Sequence, residues 1–94
     1  MQIRSVRHKG LKRFLEQDDD RVLRRDLAGR VRNVLTALVS APDMDGVQGP
    51  PGWRIHKLAG DRSETWSISV SGNWRIIFEV DRGDVWNLDL EDYH

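Results

Sequence analysis

Residues 65–94, TWSISVSGNWRIIFEVDRGDVWNLDLEDYH, decide the fold. Apolar and polar residues alternate through the stretch with a period of two, as they do in strands that bury one face. The alternation is interrupted only around Ser71-Gly72-Asn73 and at Arg82-Gly83, connections so short that they join antiparallel neighbours. One more alternating segment, WRIHKL (53–58), precedes them across AGDRSE (59–64), so four strands form a curled antiparallel meander. Parity sorts their faces. Ile55, Trp66, Ile68, Val70, Trp74, Ile76, Phe78, Val80, Trp86, Leu88 and Leu90 fall on the side expected to cover a helix, which assigns the tryptophans to the core. Arg54, His56, Ser67, Ser69, Arg75, Glu79, Asn87 and Asp89 fall on the other side, with an imidazole and a guanidinium from different strands at its centre.

Upstream of the strands, SAPDMDGVQGPPG (40–52) is loop-like in its Gly and Pro content. Before it, Leu23, Leu27, Val31, Val34, Leu35 and Leu38 recur at helical spacing, which predicts an amphipathic helix of about five turns from Arg21. Gly29 within it costs helix stability and is expected to mark a close packing contact. KGLKRFLEQ (9–17) offers a shorter helix with Leu11, Phe14 and Leu15 on one side. The run Asp18-Asp19-Asp20 ends that helix and opens the next, where carboxylates suit the positive end of the helix dipole. MQIRSV (1–6) reads as a short strand. The expected fold is α+β: an N-terminal strand and two helices on a curled antiparallel sheet, as one domain over residues 1–94.

Ninety-four residues leave room for a single core. With no cysteine there is neither a disulfide nor a thiolate metal site, which favours a reducing cytoplasm over secretion. No stretch approaches the roughly 20 apolar residues of a membrane span. Net charge is zero, but residues 1–35 hold ten Lys/Arg against five Asp/Glu and residues 36–94 hold five against ten. A basic flank of this kind can follow a phosphate backbone without reading sequence, although on charge alone a pair of solvated helix faces is the better account.

The opening IRSVRHKGLKRF, together with His56 followed by Gly60-Asp61-Arg62, NWRI at 73–76, Gly83-Asp84 and the terminal EDYH, resembles the HigB-type toxins of the RelE/ParE superfamily over nearly the whole chain. The resemblance implies a RelE-like fold and a bacterial toxin restrained by an antitoxin, which it suggests is a helix-turn-helix DNA-binding protein. It also implies cleavage of messenger RNA in the ribosomal decoding site without a metal or other cofactor. On these grounds the functional positions are His56, Asp92, Tyr93 and His94, with Arg75 as a phosphate contact. Where the family usually has a lysine this chain has Ala59, and Lys57 or Arg62 is the available replacement.

RNA carries its own nucleophile, the 2′-hydroxyl, so a protein needs to deprotonate it, protonate the departing 5′-oxygen and stabilise charge on phosphorus. Imidazole serves either proton transfer near neutrality, and a guanidinium grips phosphate oxygens in pairs. The α-carboxylate of His94 favours its imidazolium form and so the general-acid role. Asp92 orients or neutralises an imidazole, and His56 or Tyr93 is left to assist the 2′-hydroxyl, with stacking on a base an equal role for Tyr93. By default Arg75 is a cross-strand ion-pair partner of Glu79 or Asp89. A zinc site from His8, His56 and His94 lacks any ligand-spacing motif. Regular parity would turn Asp92 and His94 toward the core, so strand pairing is expected to stop near Leu90 or Glu91 and the tail to bend across the sheet edge. Two other classes share the resemblance or the composition: a toxin of the same fold that inhibits DNA gyrase by binding, and a noncatalytic docking module.

Overall fold

In the computed structural model, which describes residues 1–19, 21 and 23–92, the chain first forms helix α1, Lys9–Gln17, and then α2, Arg25–Ser40. The His8 side chain caps α1 by accepting from the Leu11 N–H at 3.2 Å, which satisfies one of the donors a helix start leaves over. The helix stops at Asp18, whose left-handed φ of 52° turns the chain. Leu11 and Phe14 are buried, while Leu15 keeps 37% of its surface exposed.

Helix α2 begins at Arg25 rather than Arg21, and the only acidic residue in its first turn is Asp26. The expected dipole role of the acidic run is not realised among its described residues. Asp19 instead accepts from the Arg21 backbone and guanidinium, and Asp18 Oδ1 accepts from Arg32, whose guanidinium lies 4.7 Å from the Phe14 ring centre. The carboxylates thus tie the turn between the helices and the second helix back onto the first. Gly29 makes no close packing contact either: a Cβ there would meet nothing within 4 Å. Gly29→Ala is therefore expected to stabilise the fold by about 0.5–1 kcal/mol, since only the backbone entropy cost of glycine is removed. Urea unfolding with an unchanged m-value measures this directly.

The sheet is a meander of β1 (His56–Lys57), β2 (Thr65–Ser69), β3 (Trp74–Asp81) and β4 (Asp84–Asp92), paired antiparallel in the order β1-β2-β3-β4. Of the first predicted strand only His56 and Lys57 pair, because Pro51–Trp53 forms a 3-10 turn ending in a left-handed Arg54. Residues 1–6 do act as an edge strand, bridging parallel to β4 at Ile3–Val85 and Val6–Leu88. The Met1 ammonium donates to the carbonyls of Leu38, Val39 and Ala41, so a cation caps the negative end of α2.

One parity assignment is overturned. Between Ile77 and Glu79 the β3–β4 register shifts by a residue, and Asn87 takes a left-handed φ of 57° while its N–H donates to Ser5 Oγ at 2.7 Å. This bulge sets Trp86 opposite Glu79 on the polar face, 37% exposed, and gives its core position to the fully buried Val85. Trp66 and Trp74 pack at the margin of the core, half-buried, and its centre is Leu11, Leu27, Val31, Leu38, Ile68, Ile76, Phe78 and Leu88.

Candidate active site

Directly opposed residues in a sheet share a face, as do residues two apart on a strand. Pairing of His56 with Ser67, Ser67 with Ile77 and Ile77 with Asp89 forms one row across all four strands. Ser69, Arg75 and Glu91 form the next. These rows carry the polar face, and a cleft of about 580 Å³ opens on it, lined by Arg54, Ile55, His56, Ser67, Ser69 and Arg75. Two of the sequence-derived positions, His56 and Arg75, therefore meet.

His56 is exposed, and its Nδ1 lies 2.5 Å from the Arg54 carbonyl oxygen. A carbonyl only accepts, so Nδ1 carries the proton of the neutral ring and Nε2 is left with the lone pair. The left-handed Arg54 backbone, φ 49°, presents that carbonyl. Beside it Ser67 is 1% exposed, and its hydroxyl finds no partner among the described residues.

Arg75 pairs with neither Glu79 nor Asp89. Its Nε and NH2 donate to Glu91 Oε1 at 3.0 and 2.5 Å, while Arg62 donates to both oxygens of the same carboxylate at 3.2 and 2.8 Å. This contact explains how a face spanning four strands closes. Arg62 lies in the 58–64 connection, which leaves the sheet beside Thr65, yet its side chain reaches the row of Ser69, Arg75 and Glu91 at the other end of β2. The connection therefore folds back toward that row.

Other positions lie elsewhere. Lys57, adjacent to His56, has opposite parity: it pairs with Trp66, and its ammonium stands 5.5 Å from that ring centre and 4.0 Å from Glu64. Asp92 pairs with Trp74 in regular register, so β4 does not stop near Leu90 or Glu91. Asp92 is exposed at the strand end, on the side of Leu88 and Leu90, and accepts from Asn73 Nδ2 at 3.3 Å. Tyr93 and His94 lie outside the described residues.

Glu91 was given no role by the sequence reading. Its carboxyl is held below the usual carboxylate range chiefly by the hydrogen bonds from Arg62; burial opposes this, and the hydrogen bonds from Arg75 add a contribution smaller than that of burial. Asp84, which anchors the N-terminal strand by accepting from Arg4 and from the Gln2 N–H, is lowered in the same way, chiefly by Arg4. A carboxyl whose folded-state pKa is depressed contributes stability above its unfolded value and loses it as pH falls through the folded one. The melting temperature is thus expected to hold from neutrality to about pH 5 and to fall below about pH 4. Calorimetry across that range checks this, and Glu91→Gln should remove part of the slope.

Residues 4–94 match the family described as RelE-like toxins of type II toxin-antitoxin systems, HigB. The chain belongs to this family. It is 37% identical over 92 residues, 98% of this chain and 99% of the relative, to the endoribonuclease HigB of Proteus vulgaris. Two solved structures of YafQ from E. coli share the fold of this HigB-like toxin. A histidine-to-glutamine mutant superposes with a TM-score of 0.62 at 14% identity, and the protein of strain BL21(DE3) with 0.60 at 12%; each comparison covers 97% of this chain and 93% of the other. Membership in a toxin-antitoxin family implies an antitoxin partner for this HigB-like toxin. No helix among its described residues is long and apolar enough to cross a membrane.

Proposed function

We propose that this toxin is an endoribonuclease that cleaves messenger RNA on the ribosome, in the cytoplasm, by acid–base chemistry that uses the RNA 2′-hydroxyl as nucleophile. The observation that carries this reading is the His56–Arg54 hydrogen bond in a cleft shared with Arg75. With Nδ1–H committed to a carbonyl, Nε2 is a base aimed by the backbone, which supports His56 over Tyr93 as the group that takes the 2′-hydroxyl proton. Arg75 stabilises charge on the phosphate oxygens, and Arg62, on the same face, takes the place of the lysine absent at Ala59. His94 protonates the 5′-oxygen, Asp92 orients or neutralises an imidazole, and Tyr93 stacks on a base. The 37% identity to a relative named an endoribonuclease supports the same reading, and no observation favours gyrase binding.

Purified toxin is added to ribosomes programmed with a defined message, and the new ends are mapped. Breaks in phase with codons, absent when ribosomes are omitted, are expected. Intact messages with a DNA damage response after induction in cells would mean a gyrase poison, and neither effect would mean a docking module.

A further inference from the structure

We propose that Glu91 is a positioning residue for cleavage: its carboxylate holds the Arg62 and Arg75 guanidinia together as one two-arginine phosphate site. This rests on the nuclease reading for its catalytic consequence, though not for its geometry. Two guanidinia from elements far apart in the sheet both contact Oε1 of one carboxylate, so they lie within a few ångströms of each other and repel. A shared anion between them cancels the repulsion and fixes both in position. Arg75 is pinned by its Nε edge and is 14% exposed, whereas Arg62 keeps 43% of its surface, so the pair is anchored on one side and open on the other.

Glu91 is also the strap that keeps the 58–64 connection folded back toward its row, since Arg62 has no other carboxylate partner among the described ion pairs. Two guanidinia share the one carboxylate, and the two N–H groups that Arg62 commits to Glu91 leave further donors on its own guanidinium. An arriving phosphodiester therefore meets an assembled pair and need not gather two mobile arginines against their repulsion.

The test separates positioning from folding and from charge. Glu91→Gln raises the net charge of the cluster, so apparent affinity for programmed ribosomes should stay level or tighten, while the single-turnover cleavage rate falls by about tenfold or more from lost orientation. In an Arg62→Gln background only one guanidinium remains to be placed, and adding Glu91→Gln should then cost less than about threefold, a coupling that a double-mutant cycle reads. Equal rates for wild type and Glu91→Gln would overturn the proposal. So would the same loss in both backgrounds, or a loss explained by the unfolded fraction at the assay temperature.

A second readout needs no activity. Inorganic phosphate is titrated while the Nε–Hε resonances of Arg62 and Arg75 are followed by NMR. In wild type both should shift together along one binding curve, and in Glu91→Gln they should separate into two weaker ones. Independent curves in wild type would refute the paired site. A wild type that cleaves nothing would defeat the nuclease reading alone, and the titration would then decide this one.

Discussion

Replacing His56 by glutamine is expected to slow message cleavage by about 10²- to 10⁴-fold, the usual contribution of a positioned general base, with little change in stability. The side chain is exposed, and surface substitutions of that kind stay within about 0.5 kcal/mol. Glutamine is the informative choice because its amide can still donate to the Arg54 carbonyl, so the β1 backbone has no reason to shift, while no titrating nitrogen remains. Single-turnover rates on programmed ribosomes, with urea unfolding of the same sample, give both halves of the expectation. A variant that cleaves at the wild-type rate would leave the aimed Nε2 without a task. The pH profile adds a sign: loss of a base removes the limb along which the rate rises with pH, and leaves the other limb in place.

That the fold was readable from the sequence owes most to its turns. Arg82-Gly83 is a two-residue connection, and it pairs Asp81 with Asp84, Val80 with Val85 and Glu79 with Trp86. Continued without interruption, the same register would set Arg75 against Leu90, Ile76 against Asp89 and Phe78 against Asn87, polar against apolar at each. The apolar residues of β3 and β4 share a face only if one strand carries an extra residue. The bulge was therefore implied by the alternation itself, and Asn87, a residue that tolerates left-handed backbone, is where it falls. Counting parity along each strand separately missed it, misplaced Trp86 and hid the pairing of Arg75 with Glu91. The start of α2 was misread for a related reason: Leu23 is buried like a helical residue but sits in the turn before Arg25. Burial and helical spacing coincide there without a helix.

The site was legible in part because its residues are chemically unusual for their surroundings, and illegible where it depends on contacts distant in sequence. An imidazole and a guanidinium on one face of a sheet follow from parity, and the cleft brings His56 and Arg75 together as that predicts. The Arg54 carbonyl, by contrast, is a backbone group presented by a left-handed residue, which no side-chain pattern announces. Arg62 reaches Glu91 across 29 positions of sequence, because a connection folds back toward the row of Ser69, Arg75 and Glu91. A flat sheet with strands about 4.8 Å apart would have left the first and fourth strands some 14 Å from each other on this face. The Arg62–Glu91 contact instead brings the connection between the first two strands to the fourth, although the first and fourth strands are not neighbours.

Replacing His94 by glutamine is expected to lower cleavage as severely, by about 10²- to 10⁴-fold, but to be rescued by a substrate that needs no acid. As the proposed donor to the 5′-oxygen, His94 acts while its ring is protonated. A substrate with sulfur in place of the scissile 5′-oxygen leaves as a thiolate, a much weaker base than an alkoxide, and so departs without a proton. On ribosomes programmed with such a message, His94→Gln should recover most of the wild-type rate and His56→Gln should not, since attack by the 2′-hydroxyl still requires a base. The profiles should differ in the same sense: without its acid the enzyme loses the limb along which the rate falls as pH rises. Equal rescue of both variants would make leaving-group departure rate-limiting for reasons unrelated to His94. A fully active His94→Gln toxin would transfer the acid role to another group.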